Sequence, residues 1–124
     1  MLKKTFIFTA ISTVLIVGAL LYGQVASGGA PEVKKMEITV NNHSFSVLLE
    51  SNKTAAAFRK LLPFEASMSD LNHNEKYYYL PQDLPVNARQ VSQIHAGDIM
   101  LFGNNCLVLF YKSFSTPYAY TPIG

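Results

Sequence analysis

Ile99-Met100-Leu101-Phe102-Gly103-Asn104-Asn105-Cys106-Leu107-Val108-Leu109-Phe110-Tyr111 reads as two strands joined by a Gly-Asn-Asn turn. A strand with one wet face alternates apolar and polar side chains, because successive residues point to opposite sides. Neither of these strands alternates, so each is covered on both faces. Two such neighbours cannot lie on an open surface. They point to a closed barrel, or to a sheet covered on both sides.

Short strands continue outward in both directions. Upstream, His95-Ala96-Gly97-Asp98 is a tight turn in which Asp98 is expected to bond its own backbone. Residues 82–93 read as irregular, with Pro85 and Asn87. Tyr77-Tyr78-Tyr79-Leu80 is a strand with aromatics on both faces, stopped by Pro81. Residues 69–76 are polar and loop-like. Phe64, Ala66 and Met68 alternate with Glu65, Ser67 and Ser69 as a further strand. Met36, Ile38 and Val40 do the same with Glu37, Thr39 and Asn41, and Phe45, Val47 and Leu49 follow. Asn41-Asn42-His43 joins those two as a hairpin, since Asn tolerates positive φ. Asn52 caps a short helix over 54–62, whose Ala55, Phe58, Leu61 and Leu62 share one side and plug an end of the sheet. Downstream, residues 112–117 form a loop and Tyr118-Ala119-Tyr120-Thr121 a last strand. About seven short strands with one helix make a small β-barrel over residues 36–124 the expected architecture.

The amino terminus differs in kind. Lys3 and Lys4 precede a run from Thr5 to Leu21 that carries no charge, and Ala26-Ser27-Gly28 offers small residues for cleavage. Residues 1–28 are therefore expected to be a signal peptide or an uncleaved membrane-anchoring helix, with 29–35 as a linker. Either outcome places the domain outside the cytoplasmic membrane, at the cell envelope or secreted.

The 124 residues suit one domain, and the formal net charge is +2. That excess is the two leader lysines: from Gly29 onward eight Lys/Arg face eight Asp/Glu. A neutral domain without a basic face is not expected to bind nucleic acid. A lone cysteine, Cys106, excludes an internal disulfide and a Cys-based zinc site. His43, His73 and His95 share no ligand spacing. Asp70, Asn72 and Asn74 imitate the start of a calcium loop, but Glu75 stands where Gly is needed and Pro81 where a bidentate Glu belongs. No metal, cofactor or catalytic set is expected. Cys106 reads as a small buried hydrophobe, and the loop with Ser113, Ser115 and Thr116 lacks a nucleophile elbow.

The phenols stand out. Tyr77, Tyr78, Tyr79, Phe110, Tyr111, Phe114, Tyr118 and Tyr120 are many aromatics for a small domain without Trp. Part of the set serves the core; the rest suits a cleft for a peptide or a small molecule, giving stacking area and polar tips.

Four segments then resemble a known family. Met68-Ser69-Asp70-Leu71-Asn72-His73-Asn74-Glu75-Lys76-Tyr77-Tyr78-Tyr79-Leu80-Pro81, Ile94–Leu101, Leu107–Phe114 and Tyr118–Gly124 are together similar to bacterial cyclophilin-like domain proteins. The likeness spans about Lys35 to Gly124. It implies a closed barrel of cyclophilin type, frequently exported, with no established activity. True prolyl isomerases carry a Phe-His-Arg segment on a barrel strand, whose Arg polarises the prolyl amide. Here the only arginines are Arg59, read as helical, and Arg89, read as loop. The expectation is a binding module at the envelope, with Met68, Asn72, Glu75, Tyr77, Tyr79, His95, Phe110, Phe114, Tyr118 and Tyr120 as candidate ligand-binding residues. The alternatives are a prolyl isomerase or another small enzyme using Glu75, His95 or Asp98, and a structural docking module.

Overall fold

A computed structural model describes residues 3–11 and 34–124. Its elements are β1 (Lys4–Ile11), β2 (Lys35–Val40), β3 (His43–Leu48), α1 (Lys53–Arg59), β4 (Phe64–Leu71), β5 (Glu75–Tyr79), β6 (Arg89–Gln90), β7 (Gln93–Ile94), β8 (Ile99–Phe102), β9 (Cys106–Phe110), β10 (Phe114–Ser115) and β11 (Ala119–Pro122). Nine strands form one sheet in the order β3-β2-β1-β4-β5-β9-β8-β11-β6, and β10 pairs with β7 beside it.

The opening hairpin follows from its turn. Asn41 and Asn42 sit at φ 51° and 62°, the two left-handed positions that let β2 and β3 fold back with Val40 opposite His43. Asn52 caps α1: its Oδ1 accepts the Ala55 N–H at 2.7 Å, and its Nδ2 donates to the Pro122 carbonyl at 2.8 Å. The helix is shorter than the expected 54–62 span. It acts as a plug, with Phe58 fully buried edge-on to Phe8 (6.2 Å) and Phe64 (5.8 Å). Residues 69–76 are less loop-like than their polarity implies. Strands β4 and β5 run into them, leaving Asn72-His73-Asn74 as the turn.

The two apolar strands are indeed covered on both faces, by a different device from the one expected. Ile99, Leu101 and Leu107 point into the main core with Phe8, Met36, Ile38, Phe58 and Met68. Met100, Cys106, Val108 and Phe110 point the other way, into a second cluster closed by Ile94 and Tyr120 with Phe114 packed on it. The sheet curls without closing. Its ends, β3 and β6, do not pair. The chain after β3 meets the carboxyl terminus through Glu50 N–H to the Ile123 carbonyl at 2.8 Å. Gly124 packs against Val47 and Leu49, so that end meets the seam with one main-chain bond, the Asn52 side-chain bond and side chains where a barrel would have a strand ladder.

The amino terminus brings a second correction. Lys4–Ile11 opens no helix; it is β1, between β2 and β4. Thr5, Phe6, Ile7, Phe8 and Thr9 are all good strand formers, and their parity buries Phe6 and Phe8 while Thr5 and Ile7 face out. The rest of the expected signal peptide or anchor, residues 12–28, and residues 29–33 of the expected linker lie outside the described residues. Among those described, no helix is long and apolar enough to cross a membrane. Lys35, expected in the linker, opens β2.

Candidate functional site

The outer face of β5, β9 and β8 carries the candidate site. Antiparallel register sets Tyr77 opposite Val108 and Tyr79 opposite Cys106, and then Phe102 opposite Cys106 on the next strand. These residues share parity, so they face the same side. Cys106 and Val108 form a floor. Tyr77 and Tyr79, with ring centroids 5.9 Å apart, form one wall. Phe102, Tyr118 and Tyr120 form the other, Phe102 lying 6.4 Å from Tyr118 and 5.6 Å from Tyr120. Leu71, at the end of β4, and Asn72, in the turn after it, close one end beside Glu75. The enclosed volume is about 460 Å³.

The groove's electrostatics centre on Glu75, which is only 8% exposed. Burial raises its carboxyl above the usual range, and the Asp70 charge adds to this. Burial likewise raises the Cys106 thiol, with the Glu75 charge as a second cause, so thiolate is disfavoured. Tyr120 is raised by the same two causes, burial first. A largely buried carboxyl ringed by phenols can accept a hydrogen bond from a bound donor, or pair with a cation, while the rings stack on an apolar body.

Asp70 stands outside the groove and is fully engaged. It accepts the Tyr111 hydroxyl at 2.5 Å and the His73 N–H at 3.1 Å, and pairs with Lys76 at 3.2 Å. The Tyr111 bond, then Lys76, lowers its carboxyl against the opposing pull of burial. The same bond pushes the Tyr111 phenol up to about 12. The aspartate that imitates a calcium ligand thus organises its own turn.

Six of the ten candidate residues come together in the groove: Asn72, Glu75, Tyr77, Tyr79, Tyr118 and Tyr120. Met68 does not. It is fully buried in the main core, where its parity with Ala66 puts it. Phe110 is buried in the second cluster, on the same face as Cys106 and Val108, with the Phe114 ring tilted against it at 5.7 Å, so both pack beside the groove floor and do not line it. His95 is exposed on the turn before β8, its N–H bonded to Asp98 at 2.8 Å, as expected of that turn. Leu71, Phe102, Cys106 and Val108 were not singled out by sequence. Parity along β9 puts Cys106 and Val108 on one face, but only the pairing register sets that face beside Tyr77 and Tyr79.

A larger cavity of about 690 Å³ opens at the unclosed mouth of the sheet, lined by Phe6, Ile38, Val40, Phe45, Leu109 and Tyr111 with Lys4 and Lys76. Its lining is mostly apolar core, and its one half-buried charge, Lys76, is held by Asp70. Arg59 and Arg89 line neither space.

A curled antiparallel sheet, plugged by the one helix among the described residues and carrying an aromatic groove on its outer face, defines a small β-rich domain. The sequence model of the cyclophilin-like family matches residues 38–124, and the chain belongs to that family. No curated protein and no solved structure matches the chain.

Proposed function

We propose that the domain is a non-catalytic binding module at the cell envelope, taking a small molecule or a short peptide in the Tyr groove. One observation carries this reading: four tyrosines and Phe102 surround a buried carboxyl, Glu75, over a floor of Cys106 and Val108. A core does not need that arrangement: Tyr79 and Tyr118 stay largely exposed and fill no interior, and the Glu75 carboxyl is costly to bury. The ligand it fits has a flat apolar body and a hydrogen-bond donor or cationic group reaching Glu75. Export is read from the charged-then-apolar amino terminus.

The test is a screen of the full chain against peptide and metabolite libraries by NMR. Ligands should shift Tyr77, Tyr79 and Tyr118 together, and Glu75→Gln should weaken any ligand with a cationic group. Library binding that leaves those three tyrosines unmoved refutes the site. A coupled proline-isomerisation assay should stay flat with added protein; a rate that rises with concentration refutes the non-catalytic reading. Cell fractionation should place the chain outside the cytoplasm.

A further inference from the structure

We infer that the position of β1 is an exchangeable strand slot, which accepts an extended peptide with apolar side chains two residues apart and a basic side chain between them.

The observation is what β1 does in the sheet. It pairs antiparallel on both sides, with Ile7–Ile11 against Thr39–Lys35 of β2 and Lys4–Phe8 against Met68–Phe64 of β4. Strands β2 and β4 do not touch each other's ladders, so β1 alone joins the opening hairpin to the rest of the sheet. Removing it leaves two facing edges of unpaired N–H and C=O groups separated by about 10 Å, the width of one inserted strand. Main-chain bonding on both flanks, which any extended segment supplies, holds β1 together with two buried phenylalanines.

The side-chain requirement is small and specific. Only two side chains of β1 are buried, Phe6 at 5% and Phe8 at 0% exposure. Phe8 stacks on Phe64 at 4.8 Å, which sets an aromatic preference there. Phe6 borders the 690 Å³ cavity, so its pocket has room for a larger side chain. On the outward face, Ile7 is directly paired with Glu65, and Glu37 is paired with the next outward residue, Thr9. Ile7 is 36% exposed beside these carboxylates and answers neither. A Lys or Arg at its position pairs with them, so the present occupant is not the best fit to its own slot.

The same residues have a second use. Lys4–Ile11 opens the apolar stretch read above as an export element, and no residue can sit in this sheet and in a membrane or a removed leader at once. The slot is empty whenever the leader is so engaged. That motive rests on the export reading. Strand exchange itself does not, and its test uses purified protein with no membrane present.

A specific protease site is inserted between Ser27 and Gly28 of the full chain, and the folded protein is cut. A fluorescent peptide of the Lys4–Ile11 sequence carrying Ile7→Lys is then added in excess. The cut protein should take up one label per domain and release its own fragment, while the uncut protein takes up little. Peptide with Ile7→Lys should bind about threefold tighter than the native sequence, from one cross-strand charge pair. Peptide with Phe8→Asp should bind about a hundredfold more weakly, because its charge would be buried. Retention of the native fragment against excess peptide overturns the inference. So does loss of the fragment without uptake, or reciprocal strand exchange into a dimer that excludes the peptide. As a second measurement, the uncut Phe8→Asp chain should melt lower than the native chain and recover on adding the Ile7→Lys peptide; no recovery overturns the slot as well.

Discussion

Phe58→Ala tests the plug directly. Phe58 is fully buried in α1 and makes edge-on ring contacts at 6.2 Å with Phe8 and 5.8 Å with Phe64. Truncating a buried Phe costs about 3–5 kcal/mol, from lost transfer free energy and the cavity left behind. Two ring contacts, each worth about 0.5–1.5 kcal/mol beyond area, place the cost toward the upper part of that range. We expect about 4 kcal/mol. With a urea slope of about 1.5 kcal/mol per molar, the unfolding midpoint should fall by about 2.7 M. The control is Phe45→Ala, the same change at a side chain 56% exposed on β3. It should stay within about 0.5 kcal/mol. Equilibrium urea unfolding, followed by tyrosine fluorescence and far-ultraviolet circular dichroism, measures both. A Phe58→Ala loss under about 1.5 kcal/mol at unchanged slope would show that the helix rests on the sheet without closing it.

Three further outcomes are expected. The Glu75 carboxyl is raised by burial, so the folded state keeps its proton where the unfolded chain has lost it. Stability should therefore fall as pH climbs from the usual carboxylate range through the raised value, and Glu75→Gln should flatten that fall in melting profiles taken from about pH 4 to about pH 8. Asp70→Asn removes the charged acceptor of the Tyr111 hydroxyl, so the phenol now pushed up to about 12 should ionise lower, toward the ordinary tyrosine range, read as phenolate absorbance in an alkaline titration. Asn52→Ala removes the helix cap and the bond to the Pro122 carbonyl, and should cost about 2 kcal/mol, whereas Asn52→Asp keeps the cap acceptor and should recover about half of it in thermal unfolding.

What sequence shows of this fold is what local chemistry decides. Asn41-Asn42 names its own turn, Asn52 its own cap, and the uninterrupted apolar runs their two-sided burial. What it hides depends on pairing between distant segments. Closure was expected from the same burial that a second cluster under β7, β10 and β11 supplies, because apolar runs record that a face is covered and not by what. Strand β1 was hidden by composition: eight residues within a long uncharged run look helical until their parity is set against β2 and β4. At the site, the tyrosines were legible as an excess of phenols. The place of Met68 was legible too, since it shares parity with Phe64 and Ala66, but its position in a family-like segment argued the other way. Phe102 and Cys106 join the groove only through register, which no window of sequence contains.

The open seam has a consequence for handling the protein. Strand β3 is bonded on one side only, and it exposes Phe45 on one face at 56% and Leu48 on the other at 65%. Such a border invites stacking of one molecule on the next. The formal net charge of the chain is only +2, so little long-range repulsion keeps neighbours apart. Concentrated stocks should cloud near neutral pH, and a single lysine placed on that border should keep them clear.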